Sequence, residues 1–131
     1  MSNTLYDKGR EAFLAGNADW DANTIKVSLL SASYTFSQAH DFFDDISGVV
    51  ATSSALGSKT TTDGVADAAD VTFSAVSGSQ VTQFIIWADT GVAGTSRLLV
   101  YFDSATNLPV TPNGGDITIQ WSNGSDKIFK L

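Results

Sequence analysis

The sequence has no cysteine, and it has only one histidine, one glutamate and two prolines in 131 residues. The absence of cysteine excludes disulfides, thiolate metal sites and cysteine nucleophiles. No apolar run approaches the roughly 20 residues that span a bilayer. The first residues, MSNTLYDKGREAFLAG, lack the hydrophobic core of a signal peptide. We therefore expect a protein that is made and used without crossing a membrane and that folds through packing and hydrogen bonding alone.

Charged residues are also scarce, at 16%, and acidic residues outnumber basic ones by 14 to 7. The net charge of −7 repels phosphate backbones and anionic lipids, so neither nucleic acid nor a membrane is an expected partner. Serine and threonine are abundant in place of charged residues. Such a surface suits contacts with other proteins, because charged groups are depleted from the centres of interfaces.

Few residues could serve in catalysis. With one histidine and one glutamate, an acid–base site would need paired aspartates, such as Asp44 with Asp45 or Asp67 with Asp70. Paired carboxylates cleave glycosides, but Asp67 and Asp70 lie among alanines rather than sugar-stacking aromatics. His40 precedes an aspartate, yet adjacent residues on a helix do not face each other, so we expect a surface or helix-cap histidine. The sequence thus predicts a protein that is not an enzyme and has no cofactor.

One spacing resembles the start of a calcium-binding loop. Asp19, Asp21 and Asn23 alternate as such loops require. A loop of this kind also needs glycine at its sixth position and glutamate at its twelfth, and those positions hold Thr24 and Leu30. We therefore predict no metal site, and a turn capped by aspartate side chains instead.

Three apolar runs dominate the second half of the chain, at 81–88, 97–103 and 116–121. Runs of this length, rich in Val, Ile, Phe, Tyr and Trp and separated by turn residues, are strands. The first two are nearly continuous, so we expect a central pair covered on both faces with the third strand beside them. Shorter strands are predicted at 25–29, 71–75 and 127–131.

Helix and turn signals occupy the remaining stretches. Apolar spacing predicts an amphipathic helix over residues 4–15, ended by Gly16, with Gly9 costing about 1 kcal/mol relative to alanine. A helical turn is expected near 38–45. The segment 49–70 is poor in large side chains, which fits either an edge strand with a hairpin turn and an exposed loop, or an extended arm over about 53–69 that orders against a neighbouring subunit.

These elements predict a mainly β protein. The expected architecture is an antiparallel β-sandwich or jelly-roll-like domain with a short N-terminal helix. A chain of this length forms one domain with one real core, so we expect a single domain over residues 1–131.

Three stretches carry a resemblance to a known family: NTLYDKGREAFLAG, VATSSALGSKTTTDGVADAADVTFSAVSG, and the close of the chain from LLVYF to IFKL. They resemble the small virion structural proteins of tailed bacteriophages, many of them labelled head decoration or cement proteins. The resemblance spans essentially the whole chain, and LPVTPNGGDITIQW, residues 108–121, is its most specific part. It implies a noncatalytic protein made in the host cytoplasm and present in many copies on the capsid surface. Its implied partners are the major capsid protein and copies of itself, as a dimer or trimer.

The expected contact residues come from the helix, the 53–69 segment and the FIIWAD stretch. They are Leu5, Tyr6, Phe13, Thr60, Thr61, Thr62, Val65 and Trp87. One alternative is a tail or fibre-associated component. The other is a carbohydrate-binding module on the virion, with Trp20, Trp87 or Trp121 as a stacking platform. Buried tryptophans would favour the scaffold, and a flat exposed pair would favour sugar binding.

Overall fold

The computed structural model describes residues 4–103, 108–121, 124 and 127–130. The fold is mainly β, with one α-helix near its start, as the sequence predicts. The helix is α1 (Asp7–Ala15), and single 3-10 turns lie at Phe43–Asp45, Thr62–Gly64 and Ala93–Thr95. The strands are β1 (Thr4–Leu5), β2 (Ile25–Ser31), β3 (Val49–Thr52), β4 (Val65–Ala66), β5 (Val71–Phe73), β6 (Val81–Ala88), β7 (Leu98–Phe102), β8 (Ile117–Ile119) and β9 (Phe129–Lys130).

Five strands form one antiparallel sheet in the order β1-β7-β6-β2-β3. The two continuous apolar runs are β6 and β7, and all five residues of β7 are buried. The prediction of a central pair covered on both faces is therefore confirmed. Because side chains alternate across a strand, a run that is apolar at every position needs a hydrophobic layer on each side.

The third run does not join this pair. β8 instead pairs with β5 in a separate two-stranded sheet, with Val71 opposite Ile119 and Phe73 opposite Ile117. Both edges of β6 are occupied, by β2 and β7, and the outer edges of these two strands pair with β3 and β1, so no edge is left for β8 beside the central pair. The predicted placement beside the central pair is therefore wrong. The predicted 71–75 strand also ends early, because Ala75 is exposed at a left-handed φ of 50°.

Two hydrophobic clusters lie on opposite faces of the large sheet. The larger joins alternate residues of β2 and β6 to the β5–β8 pair, the β4–β9 pair and Ala12 of the helix. The smaller is built from Tyr6, Leu30, Tyr34, Ile85, Trp87, Leu98 and Tyr101, with Phe36, Phe43 and Ile46 packed against it. The arrangement is sandwich-like, since smaller elements cover both faces of one central sheet.

The helix is shorter than predicted at its start. It runs from Asp7 to Ala15, and Thr4 and Leu5 pair with β7 as a short edge strand instead. Tyr6 is the N-cap and makes no side-chain capping bond. Gly16 ends the helix in the left-handed conformation at φ 77°, as predicted, and its N–H reaches the carbonyl oxygens of the last turn.

The segment 53–69 packs along its own domain. Ser53 N–H donates to the Val27 carbonyl and Leu56 N–H to the Ile25 carbonyl, both at 2.8 Å, which continues the line of β3 beside β2. Thr60 and Asp67 then bridge, leaving the 61–64 tip exposed. The structure thus has an edge strand, β3, followed by an exposed hairpin, and the ordering of this segment against a neighbouring subunit stays a prediction. None of the helices in the described ranges has the length and apolar character that spanning a bilayer requires.

Candidate partner-binding groove

One apolar groove opens between the helix end, the 61–66 hairpin and β9. We call it the apolar groove, and its volume is about 250 Å³. It is lined by Phe13, Gly16, Ala18, Asp19, Trp20, Thr61, Gly64, Val65, Ala66 and Phe129. Three parts of the chain that are distant in sequence therefore build a single concave surface.

The floor of the apolar groove is aromatic and held in place. The ring of Phe129 packs edge-on against Trp20, with centroids 5.4 Å apart, and lies 5.7 Å from the ring of Phe13. The Trp20 indole N–H donates to the Asp67 carbonyl at 3.0 Å. Because this hydrogen bond fixes the indole, the floor is formed before any partner arrives.

The hairpin wall depends on the pairing of β4 with β9. Val65 lies opposite Lys130 and Ala66 opposite Phe129, so the strand that supplies the aromatic floor also supports the wall. At the tip, Asp63 and Gly64 adopt left-handed φ values of 57° and 77°. Glycine adopts this conformation at little cost, which allows the hairpin to turn back over the groove.

One aspartate lines the apolar groove, and two more adjoin its lining residues. Asp19 lines it, Asp21 accepts a hydrogen bond from the Thr61 hydroxyl at 3.4 Å, and Asp63 precedes Gly64 at the tip. All three carboxylates are on exposed residues. Two basic side chains lie nearby: Lys130 on β9, which is exposed, and Lys59, whose Nζ donates to the Asn23 carbonyl at 2.6 Å. The local balance is therefore acidic, like the chain as a whole.

The predicted aspartate-capped turn includes Asp19, which lines the apolar groove. The Asp19 carboxylate accepts the N–H groups of Asp21 and Ala22 at 3.0 and 3.1 Å, and Asn23 Oδ1 accepts the Asp19 N–H at 2.8 Å. The prediction of a capped turn is confirmed. Two of the side chains that resembled calcium ligands, Asp19 and Asn23, accept hydrogen bonds from the loop's own backbone.

Three of the predicted contact residues meet at the apolar groove: Phe13, Thr61 and Val65. Thr62 is exposed at the hairpin tip, and Thr60 is exposed where it bridges to Asp67. Leu5 is half-buried against the main cluster, away from these residues. The groove therefore contains one predicted contact residue from the helix and two from the 53–69 segment, and their contact with a partner stays a prediction.

Two other predicted contact residues face the interior. Tyr6 has no exposed surface, and Trp87 is 6% exposed. Trp87 stacks on Phe43 with ring centroids 4.0 Å apart, and its indole N–H donates to Ser28 Oγ at 2.9 Å. Neither side chain can touch a partner while the domain is folded, so this part of the prediction is wrong. Both belong to the smaller cluster, which needs large apolar side chains to cover β6 and β7.

No tryptophan offers a flat exposed ring. Trp20, Trp87 and Trp121 are 4%, 6% and 8% exposed, and each indole N–H is bonded within the fold. Sugar binding by stacking needs an accessible aromatic face. The predicted stacking platform on these three residues is therefore wrong.

The histidine belongs to a chain of hydrogen bonds on the opposite face. Tyr6 OH and Tyr34 OH are 2.8 Å apart, and Tyr34 OH lies 2.7 Å from His40 Nδ1. Burial raises the pKa of both tyrosines above the ordinary value, so their hydroxyls stay protonated. His40 is half-buried in this chain, rather than a surface or helix-cap residue as predicted.

Two of the aspartates considered for catalysis, Asp45 and Asp70, accept hydrogen bonds from backbone N–H groups. Asp45 Oδ2 accepts the Asp41 N–H at 3.0 Å, and this hydrogen bond holds the pKa of Asp45 below its usual range. Asp70 Oδ1 accepts the Trp121 N–H at 3.0 Å. A general acid requires a raised pKa, so Asp45 is tuned in the opposite direction. Within the described ranges, Asp41, Asp44 and Asp45 form the one acidic cluster whose oxygens could converge on an ion.

Several residues of the apolar groove were not predicted from sequence, notably Ala18 and Phe129. The small residues Gly16 and Ala18, placed between the helix and Trp20, are the local signal that could have indicated a concave surface. The position of Phe129 has no such signal, because it depends on a pairing between β4 and β9 that joins distant parts of the chain.

Comparison with known proteins adds no relative. No protein-family model matches this chain, and no curated protein matches its sequence. The resemblance to small tailed-phage virion proteins therefore stays a prediction, and the apolar groove is described from its own geometry.

Proposed function

We propose that this protein is a noncatalytic capsid decoration, or cement, protein of a tailed bacteriophage. It binds the outer surface of the capsid and stabilises contacts between major capsid subunits. The observation that carries the proposal is the apolar groove, which brings Phe13, Thr61 and Val65 together on one preformed surface. The resemblance across the whole chain gives the setting.

A cement protein needs a rigid body and a surface for its partner. The five-stranded sheet, packed on both faces, supplies the body. The groove supplies a site of modest size, and modest affinity suffices on a capsid. Each copy bridges subunits that are already held in place, so effective concentration replaces intrinsic affinity. Self-association as a dimer or trimer on the lattice belongs to the same proposal.

The alternatives fit less well or require a different location. A carbohydrate-binding module would lack its stacking platform, because the three tryptophans are buried. A tail or fibre-associated component could use the same groove. Location on the particle therefore separates the two structural roles.

The test is copy number and position on purified virions of the encoding phage. A quantitative gel followed by a cryo-EM map should find many copies on the head lattice, in contact with the major capsid protein. Capsids stripped of the protein should open at a lower temperature and recover when purified protein is added back. A few copies at the tail, with none on the head, would overturn the proposal in favour of the tail or fibre role.

A further inference from the structure

We infer that the apolar groove binds one aromatic or large aliphatic side chain carried on a lysine- or arginine-bearing segment of a partner protein. Assigning that segment to an exposed loop of the major capsid protein rests on the proposed function above. The chemistry of the occupant follows from the groove itself.

The volume of the apolar groove suits a single side chain better than a small-molecule cofactor. Its volume of about 250 Å³ is below the roughly 300–1,000 Å³ of pockets that enclose drug-sized ligands. Its floor consists of the Phe13, Trp20 and Phe129 rings. A single apolar anchor on a protein loop fits this space, as anchors do at the centres of protein interfaces.

The charge around the groove indicates which residues should flank that anchor on the partner segment. Asp19 lines the groove, Asp21 contacts the lining residue Thr61, and Asp63 precedes the lining residue Gly64, against the two nearby lysines Lys59 and Lys130; the chain as a whole carries −7. The Asp19 carboxylate accepts two N–H groups of its own turn, whereas the Asp21 carboxylate accepts a long hydrogen bond, of 3.4 Å, from the Thr61 hydroxyl. Lysine or arginine beside the anchor would meet these exposed carboxylates, which favours encounter and orientation.

The groove is also preorganised. The Trp20 hydrogen bond, the β4–β9 pairing and the Thr60–Asp67 bridge hold the floor and the wall. A site that is ordered in advance loses less entropy on binding. A loop can therefore be captured through one anchor and a few charges.

A second copy of this chain is the weaker occupant. Two copies bring −7 against −7, and the acidic side of the groove would face another acidic surface. Like charges placed together oppose association. A basic segment of a different protein has the complementary sign.

Binding can be tested on the full chain with three capped pentapeptides and backbone-amide NMR. The first peptide has tryptophan between two lysines, the second has alanine in place of tryptophan, and the third has glutamates in place of the lysines. The first should shift the amides of Gly64, Val65 and Phe129 and should saturate. The alanine peptide should bind at least about tenfold more weakly, because the buried apolar area is lost. The glutamate peptide should bind roughly fivefold more weakly.

Two matched pairs of variants locate the site. Val65→Ser removes part of the apolar wall, and Val92→Ser makes the same change at a residue that is 60% exposed elsewhere. Asp21→Lys reverses a charge at the groove, and Asp44→Lys does so in the 3-10 turn that adjoins the other face of the sheet. Val65→Ser and Asp21→Lys should each weaken the tryptophan peptide severalfold, with the circular dichroism spectrum retained. The two control variants should bind as the unmodified protein does.

The inference is overturned if the tryptophan peptide binds no tighter than the alanine peptide, or if Asp21→Lys binds it normally. It is also overturned if concentrating the protein alone shifts the same amides, because a second copy would then be the occupant. These readouts are separate from the virion count. Peptide binding without copies on the head would remove the proposed function and the capsid source, and leave the groove chemistry standing. Copies on the head without peptide binding would leave the proposed function standing and remove the inference about the groove.

Discussion

Gly9 of helix α1 lies directly against Leu99 of β7. A Cβ atom added to Gly9 would sit 2.8 Å from the Leu99 carbonyl oxygen, and equally close to that of Leu98. Both obstacles are backbone atoms of a buried strand and cannot move aside as a flexible side chain could. The glycine that lowers helix propensity is thus what lets the helix approach the sheet.

We expect Gly9→Ala to lower the free energy of unfolding by about 2 kcal/mol, since overpacking outweighs the gain in helix propensity of about 1 kcal/mol. Urea denaturation would measure the change. Gly57→Ala is the matched control, because nothing lies within 4 Å of an added Cβ there, and it should change stability by less than about 0.5 kcal/mol. Stabilisation by Gly9→Ala would contradict the close packing.

The Tyr6–Tyr34–His40 chain predicts an asymmetry between two similar variants. Tyr34→Phe removes the hydroxyl that lies between the other two groups and leaves the fully buried Tyr6 hydroxyl without that partner. We expect it to cost about 2 kcal/mol, against about 1 kcal/mol for Tyr6→Phe, after which Tyr34 keeps His40. Thermal and urea unfolding would measure both. The double variant should cost less than the sum, because no buried tyrosine hydroxyl is then stranded. Equal costs for the two single variants would argue against the chain.

The ion pair between Lys26 and Asp89 predicts a pH dependence. Lys26 Nζ lies 2.7 Å from Asp89 Oδ2, and this contact, followed by the Gly91 N–H, holds the pKa of Asp89 below its usual range. A carboxyl with a depressed pKa in the folded state contributes stability above its unfolded pKa of about 3.9, and that contribution is lost as pH falls through the folded value.

We therefore expect Asp89→Asn to lower the free energy of unfolding by about 1 kcal/mol at pH 7. The difference from the unmodified protein should shrink as the pH falls below about 4. Urea titrations at several pH values would measure it. Asp63→Asn, at an exposed residue outside the 41–45 acidic cluster, is the control and should change the free energy of unfolding by less than about 0.5 kcal/mol at each pH. A constant difference across the acidic range would exclude the linkage.

The burial of all three tryptophans predicts their spectroscopy. Trp20, Trp87 and Trp121 are each less than a tenth exposed. We expect blue-shifted fluorescence that acrylamide quenches weakly, and no change when oligosaccharides are added, because a buried ring cannot stack on a sugar. Unfolding in urea should red-shift the emission and restore quenching, which provides the internal control. A saturable change with a saccharide would revive the carbohydrate-binding alternative.

The parts of the fold that the sequence predicted well depend on local pattern. Continuous apolar runs indicated β6 and β7 and their coverage on both faces, and alternation indicated β2. Gly16 indicated the helix end. In each case the residues themselves carry the physical requirement, whether burial of both strand faces or a left-handed backbone.

The parts that were missed depend on pairing between distant segments. Residues 4 and 5 have a helical apolar pattern, but the free edge of β7 offers them ladder hydrogen bonds and makes them a strand. Trp87 looked like a contact residue because an aromatic in a strand can face either side. The Ser28 hydroxyl and the Phe43 ring that hold it inside come from other elements. The helix and the hairpin of the apolar groove could be recognised from local sequence. The position of Phe129 could not, because it depends on the pairing of β9 with the distant β4.

The apolar groove draws on the helix near the start of the described chain, the hairpin in the middle and β9 near its end. A partner that recognises it therefore recognises a finished fold. A chain in which β9 has not yet paired with β4 lacks the complete floor, and such a partner would not bind it. Once the groove is occupied, binding stabilises the whole domain, because only the native state binds. A partner that binds this surface would therefore incorporate folded copies into an assembly and would not incorporate incompletely folded ones.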